Sequence, residues 1–146
     1  MTAPKTLDDL LAIEAIKQLK ARYCRTMDTK DWQGMRALFA DDVTVDTTES
    51  GGTVITGADE FMRFLREAIG EVTTVHHCHL PEIDLTAPTR ATGVWAMEDM
   101  LRWPDGAEMH GYGHYHETYE KQGGSWRIVS SRLTRLRMDF GAGPTS

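Results

Sequence analysis

Residues 90–120 read RATGVWAMEDMLRWPDGAEMHGYGHYHETYE, and this stretch decides the fold class. Within its first half, alternate residues form a set that is apolar with one exception: Ala91, Gly93, Trp95, Met97, Asp99, Leu101 and Trp103. Side chains alternate between the two faces of a β-strand, so this pattern predicts a strand over 90–103 with one buried face. Pro104-Asp105-Gly106 predicts a turn into a second strand over 107–120. The stretch is therefore expected to form an antiparallel β-hairpin.

Further strands are predicted on both sides of this hairpin. Extended patterns cover residues 72–85 and 125 to about 140, and Gln122-Gly123-Gly124 is a second turn signal. The second half of the chain is thus expected to be a meander of four long strands.

The first half of the chain has helical spacing instead. We predict three helices, over residues 6–27, 31–40 and 57–69. One short strand is predicted over residues 43–46. Thr6 can cap the first helix, with Asp9 three residues later. Helices followed by long antiparallel strands are typical of an α+β fold. We expect a curved, mixed or antiparallel sheet wrapped around three N-terminal helices, in a cone with a pocket at its mouth.

Size and charge limit the possible functions. The 146 residues fit one domain over 1–146, with an ordered core over about 6–140. The net charge is −6 and no basic stripe is present, so we expect no nucleic-acid partner. No apolar run reaches about 18 residues and the amino terminus has no signal-peptide core, so we expect no membrane partner and a cytoplasmic location. Cys24 and Cys78 are expected to be buried thiols rather than a disulfide.

Asp99 is the exception on the apolar face of its strand. A buried carboxylate is costly unless it is paired, and the preceding segment offers His76-His77-Cys78-His79 as partners. Alternation places His76 and Cys78 on one face. An antiparallel neighbour could bring His76 to Asp99, giving a His–Asp pair suited to proton transfer near neutral pH. A one-residue bulge would instead turn Asp99 outward.

Other polar residues allow two interpretations each. The four residues 76–79 cannot all bind one ion from a strand, so we expect no metal site there. Tyr23 suits a core aromatic at a helix end, and Asp28 suits a cap for the following helix. Five residues of helix separate these side chains by about 140°, so Asp28 is expected just past the helix end, turned back towards Tyr23. Arg135 is one of three arginines in the run 132–137 of the last strand, and at this spacing they cannot all face inward.

The order of these motifs resembles that of a known family. The similarity rests on the segments 13–20, 76–83 and 91–95, and on Tyr23, Asp28, Trp32, Glu98, Asp99, Tyr115, Tyr119, Glu120, Lys121, Gly124, Trp126 and Arg135. It covers about residues 8–140 and resembles the bile-acid 7α-dehydratases. These belong to the SnoaL-like, scytalone-dehydratase-like branch of the nuclear-transport-factor-2-like cones. Scytalone dehydratase itself has a second tyrosine where this chain has Met27, which argues against a scytalone-type substrate.

The resemblance implies a cofactor-free dehydratase whose catalytic residues are Tyr23, Asp28, His76, Asp99 and Arg135. In this hypothesis Asp99 orients His76, Asp28 orients Tyr23 or assists the leaving hydroxyl, and Arg135 holds Asp28 or an anionic part of the substrate. A hydrophobic polycyclic substrate, such as a steroid or an aromatic polyketide, would meet the expected pocket residues Trp95, Met97, Leu101, Phe61 and Tyr115.

The resemblance also implies self-association, with a homotrimer expected first and a dimer second. The outer face of the sheet, including His114, His116 and Trp126, is the expected contact surface. Two alternatives stay open. The first is an isomerase or cyclase of the ketosteroid-isomerase or polyketide-cyclase type on the same cone, and the second is a non-catalytic small-molecule-binding protein.

Overall fold

A computed structural model describes residues 3–142 and contains three helices and six strands. The helices are α1 (Leu7–Asp28), α2 (Trp32–Arg36) and α3 (Ala58–Ile69), and a short 3₁₀ turn covers Thr48–Ser50. The strands are β1 (Phe39–Asp46), β2 (Val54–Thr56), β3 (Thr73–Ala87), β4 (Arg90–Arg102), β5 (Glu108–Gln122) and β6 (Ser125–Gly141). Residues 1–2 and 143–146 of the expected loose ends lie outside the described residues.

All six strands form one sheet in the order β2-β1-β6-β5-β4-β3. The four long strands form the predicted antiparallel meander, and β1 joins it by parallel pairing with β6. The sheet is therefore mixed, and it curves around the helices without closing. This architecture confirms the predicted α+β cone.

Helix α1 begins at Leu7, one residue after the predicted start, with Thr6 as the predicted cap. The Thr6 hydroxyl accepts from the Asp9 backbone N–H, and the Asp9 carboxylate accepts from the Thr6 backbone N–H. One stripe of the helix is buried and includes Ile16, Leu19 and Tyr23. This stripe faces the sheet and packs against β3. In the part of the chain that the structure describes, no helix is long and apolar enough to cross a membrane.

The second helix is shorter than predicted. Helix α2 ends at Arg36, whereas the sequence pattern suggested a helix as far as Ala40. Phe39 and Ala40 instead begin β1, where both are buried. The Leu38 carbonyl accepts a hydrogen bond from the Ile128 backbone N–H, which starts the parallel pairing with β6. Pairing with a distant strand has overridden the local helical pattern.

Two bulges in β6, at Val129 and Leu136, decide which of its side chains face inward. Val129 has no partner on β5, since Ile128 pairs with Tyr119 and Ser130 pairs with Thr118. A bulge shifts the alternation by one residue. Consequently Trp126 is buried in the core before the bulge, and not on the outer face as expected. After the bulge the inward positions include 131, 133 and 135.

Candidate active site

A cavity of about 260 Å³ lies at the mouth of the cone. It is lined by α1, α3, the 3₁₀ turn, the end of β1 and the inner faces of β3, β4, β5 and β6. Polar groups in its wall come from Tyr23, His76, Asp99, Tyr115 and Arg135, among other residues. Most of the remaining lining is apolar, including Met27, Phe61, Phe64, Leu65, Leu101, Trp103, Met109, Leu133, Met138 and Phe140. A larger open hollow, of about 880 Å³ beside the start of α1, contains none of the predicted site residues.

Two of the five residues expected to contact a substrate do not line this cavity. Phe61, Leu101 and Tyr115 line it as expected. The Trp95 indole N–H donates to the Tyr119 hydroxyl at 2.9 Å, so this side chain belongs to the buried core. Met97 is also buried in the core, with its sulfur 3.7 Å from a guanidinium nitrogen of Arg135.

His76 is held from one side by Asp28. Its ring Nδ1 lies 2.7 Å from Asp28 Oδ1, and its backbone N–H donates to Asp28 Oδ2, also at 2.7 Å. A carboxylate can only accept, so Nδ1 carries the hydrogen when Asp28 is ionised. The neutral ring then has its lone pair on Nε2, on the side of the cavity.

Asp28 reaches His76 because of its position on α1. It is the last residue of the helix, not the first residue beyond it, and the 140° separation turns it away from Tyr23 and towards β3. The Thr74 hydroxyl on β3 also donates to Asp28 Oδ1 at 2.9 Å. Lys30 Nζ donates in turn to the Thr74 oxygen at 2.9 Å. Asp28 therefore fixes the ring of His76, which differs from the expected role of orienting Tyr23.

Asp99 is buried as its strand alternation predicted, at 4% exposure. Its main partner is Arg135, which donates from Nη1 to Oδ1 at 2.7 Å and from Nη2 to Oδ2 at 2.9 Å. His76 lies opposite Asp99 in the β3–β4 register, but its Nε2 is 3.9 Å from Oδ2, beyond hydrogen-bond distance. The expected His76–Asp99 pair is therefore adjacent but not hydrogen-bonded, and Arg135 is the hydrogen-bonded partner of Asp99 instead. Arg135 accordingly holds Asp99, not Asp28.

The position of Arg135 is fixed by two further contacts. Its Nε donates to the Ser50 hydroxyl at 2.7 Å, and its backbone N–H donates to the Glu49 carboxylate at 3.1 Å. Gly111 on β5 makes room for the pair, since a Cβ there would clash with both Arg135 Nη1 and Asp99 Oδ1. A glycine facing inward from a strand is a sign of such a close approach.

Two buried phenols complete the polar wall. Burial raises the pKa of Tyr23 and of Tyr115 well above the usual 10.0. Both side chains therefore stay protonated and can donate a hydrogen bond at neutral pH. Their rings meet edge to face with centroids 5.6 Å apart.

Comparisons with known proteins identify the family of the chain. The sequence model of the SnoaL-like domain family matches residues 8–132. The chain belongs to the SnoaL-like family. This SnoaL-like chain is 28% identical over 137 residues to "Probable cyclase FGR4" of Gibberella zeae, with 86% of the chain and 91% of the relative covered.

Solved structures share the fold of this SnoaL-like chain. "Putative Scytalone Dehydratase" of Novosphingobium aromaticivorans superposes with a TM-score of 0.83 at 24% identity, covering 90% of this chain and 89% of that protein. The hexachlorocyclohexane dehydrochlorinase LinA-type3 of Novosphingobium barchaimii has a TM-score of 0.82 at 15% identity, covering 94% and 95%. These likenesses show that the chain shares its fold with both proteins. The narrower resemblance to bile-acid 7α-dehydratases stays a prediction.

A buried ion pair lies behind the two phenols of this SnoaL-like protein. Lys20 Nζ is 2.9 Å from a Glu117 carboxylate oxygen, and neither side chain is exposed to solvent. Lys20 Nζ also lies 3.5 Å from the ring centre of Tyr23 and 3.7 Å from that of Tyr115. The Tyr119 hydroxyl donates to Glu117 at 2.8 Å. The sequence contained one signal of this pair, because Glu117 has the inward parity of Tyr115 and Tyr119 on β5.

The other histidines of this SnoaL-like sheet face away from the cavity. His77 and His79 flank Glu98 on the outer face, with more than half of each side chain exposed. His116 contacts the Thr134 hydroxyl at 3.0 Å and lies two residues from His114, on the same face of β5. Among residues 3–142, no group of three or more His, Cys, Asp or Glu side chains is arranged to hold a metal ion.

Proposed function

We propose that this SnoaL-like protein is a cofactor-independent carbon–oxygen lyase. It would remove water from a hydrophobic polycyclic alcohol that carries an activating ketone, such as a steroid or a polyketide. The observation that carries the proposal is the hydrogen bond between Asp28 and His76 Nδ1, which leaves Nε2 as a base at the cavity wall. The Tyr23 phenol, a donor for a carbonyl oxygen, lines the same small cavity.

The first step is removal of a proton from the carbon next to the carbonyl group. His76 Nε2 takes this proton, and the electrons of the C–H bond move into an enolate. Negative charge then develops on the carbonyl oxygen, where the Tyr23 O–H donates a hydrogen bond. The phenol does not lose its own proton, because burial raises its pKa well above 10.0.

The second step expels the hydroxyl group. His76, now an imidazolium, returns its proton to the leaving oxygen, and the enolate electrons form the new C=C bond as the C–O bond breaks. The imidazolium is stabilised between two carboxylates, Asp28 at 2.7 Å and Asp99 at 3.9 Å. Arg135 balances the charge of Asp99 and fixes its position. No net oxidation or reduction occurs, and no step requires a further cofactor.

The apolar lining of the cavity supports a hydrophobic substrate. Its volume of about 260 Å³ lies just below the usual range for ligand pockets, which is about 300–1,000 Å³. A polycyclic substrate would therefore place its reacting ring between Tyr23 and His76. The remaining rings would extend along Leu101, Trp103 and Phe140 towards the mouth.

The structural neighbours also support an elimination reaction. One is named a dehydratase and another a dehydrochlorinase, and both names describe loss of a small molecule from adjacent carbons. The same base could serve either leaving group, since the first step is the same proton removal.

The test is a dehydration assay on a panel of hydroxy-ketone steroids and polyketides. A dehydratase releases water and lengthens the conjugation, which increases ultraviolet absorbance and removes the mass of one water. His76→Ala should lower the turnover number by at least about 10²-fold, as expected for loss of a general base. His77→Ala is the matched control, because His77 lies on the outer face of the same strand. Equal turnover of the wild type and His76→Ala would refute the proposal.

A cyclase is the second candidate, since the relative from Gibberella zeae is named one at 28% identity. Cyclisation would use the same proton removal but no leaving hydroxyl. The product would then have the mass of its substrate with fewer double bonds. An isomerase on the same cone would likewise preserve mass but would shift a double bond without closing a ring.

The assembly of the protein is a separate proposal. We infer a homotrimer, with a dimer as the alternative, and light scattering in solution measures this directly. Leu136 and Phe140 near the end of β6 are more than 70% exposed, which supports association through that part of the chain.

A further inference from the structure

Two thiols meet between helix α1 and strand β3. Cys24 Sγ and Cys78 Sγ are 3.4 Å apart, although the residues are 54 positions apart in sequence. They are the only cysteines in the 146 residues. Cys24 follows Tyr23 on α1, and Cys78 lies two residues after His76 on β3. The two thiols are therefore in contact between the two elements that carry the proposed acid–base groups.

Both cysteines are half-buried. They line a hollow of about 400 Å³ on the flank of the cone, separate from the cavity at its mouth and bordered by Lys17 and His79. Both cysteines were predicted to be buried thiols, whereas each is partly exposed.

The pKa values of the two thiols are shifted in opposite directions. The hydrogen bond from Cys78 lowers the pKa of Cys24, and the positive charge of Lys20 acts in the same direction. The pKa of Cys78 is raised, first by that hydrogen bond and then by burial. The thiolate is the reactive form of cysteine, so Cys24 is the better nucleophile of the pair.

We propose that Cys24 and Cys78 form a dithiol site that a peroxide oxidises to a disulfide. The Cys24 thiolate attacks one peroxide oxygen, the O–O bond breaks, and the leaving hydroxide takes up a proton to become water. Cys24 is then a sulfenic acid. The Cys78 sulfur attacks it, the S–O bond breaks, and the hydroxide leaves with the Cys78 proton as a second water. The two thiols lose two electrons in total, and the peroxide gains these two electrons.

The new bond would change the relative position of α1 and β3. A disulfide is about 2.05 Å long, so the sulfurs must approach each other by more than 1 Å. Asp28 and His76 lie on these same two elements and meet at 2.7 Å. A shift of this size is expected to lower turnover at the acid–base site. This consequence rests on the proposed function, whereas the oxidation chemistry does not.

The experiment uses the full chain, with Cys24→Ser and Cys78→Ser as matched variants. Each is treated with excess hydrogen peroxide, quenched, unfolded, alkylated and weighed by mass spectrometry. On oxidation the wild type should lose the mass of two hydrogens and both alkylation sites. Dithiothreitol should restore the hydrogens and the alkylation sites. The oxidised wild type should have a Tm several degrees higher than the reduced protein. Neither variant should lose two hydrogens or gain this increase in Tm.

Two results would overturn the dithiol site. One is a wild-type chain that keeps both alkylatable thiols under conditions that oxidise a free dithiol peptide. The other is a disulfide that forms only between chains. The order of reactivity is tested separately: Cys24 in the Cys78→Ser variant should react several-fold faster with iodoacetamide than Cys78 in the Cys24→Ser variant. If the disulfide forms but the reduced protein dehydrates no substrate, only the proposed function fails.

Discussion

The buried Lys20–Glu117 pair should be essential to stability. Replacing Lys20 with Met keeps most of the side-chain volume but leaves Glu117 charged in a site with no solvent exposure. Breaking a buried pair from one side costs about 3–5 kcal/mol. Loss of the contacts with the Tyr23 and Tyr115 rings, at 3.5 and 3.7 Å, adds to this cost, and burial of the Met methyl group offsets part of it. We expect a net loss of about 4 kcal/mol in the free energy of unfolding.

Urea unfolding followed by circular dichroism measures this loss. For a chain of this length, about 4 kcal/mol corresponds to a decrease of roughly 2 M in the urea midpoint, or about 10 °C in Tm. Lys17→Met is the control, since Lys17 is exposed one turn earlier on α1. The double variant Lys20→Met/Glu117→Gln should recover at least half of the loss, because Gln removes the unpaired charge and still accepts from Tyr119. A Lys20→Met midpoint equal to that of the control, or a double variant whose loss equals the sum of the single losses, would refute the role of the pair.

Three further predictions follow from the same contacts. Asp28→Asn should lower turnover by about 10²–10³-fold without unfolding the protein, because a neutral amide cannot stabilise the His76 imidazolium; an unchanged turnover number would contradict this. Gly111→Ala should destabilise the protein by about 1–3 kcal/mol, because the new Cβ displaces the Arg135–Asp99 pair. Gly141→Ala is the control and should cost nothing, since a Cβ there has only Glu108 Cβ within contact range, at 3.8 Å. Equal urea midpoints for the two variants would contradict this packing. Burial raises the pKa values of Tyr23, Tyr115 and Tyr119 above 10.0. Above about pH 10 the unfolded chain therefore loses protons that the folded chain keeps, and the free energy of unfolding should fall by up to about 4 kcal/mol per pH unit. Urea midpoints that stay constant between pH 9 and 11 would contradict the shifts.

Strand alternation predicted the faces of the site correctly but not its pairing. Asp99 and His76 both face inward and lie opposite each other in register, as the two segments suggested. Alternation fixes only the face on which a side chain lies. The choice of partner depends on where other elements end: α1 stops at Asp28, within reach of Nδ1, and Arg135 takes both oxygens of Asp99. Neither relationship has a local signature.

The position of Arg135 depends on a feature that the sequence does not reveal. Arg132, Arg135 and Arg137 lie near the end of β6, and the bulges at Val129 and Leu136 together set which of them face inward. No glycine, proline or charge pattern marks Val129 as a bulge. The same shift buries Trp126, which was expected on the outer face. Similarly, Phe39 joined β1 because of pairing with β6, a contact nearly 90 residues away along the chain.

The most direct test of His76 as a base is hydrogen exchange into a bound steroid enone, measured in deuterated water by mass spectrometry. This reaction requires proton removal next to the conjugated carbonyl group but no leaving group, so it isolates the first step. The wild type should incorporate deuterium into the enone, and Tyr23→Phe should do so at least about 10²-fold more slowly because the enolate oxygen loses its donor. His76→Ala should show no exchange above that of buffer. Exchange by His76→Ala at the wild-type rate would show that another group takes the proton.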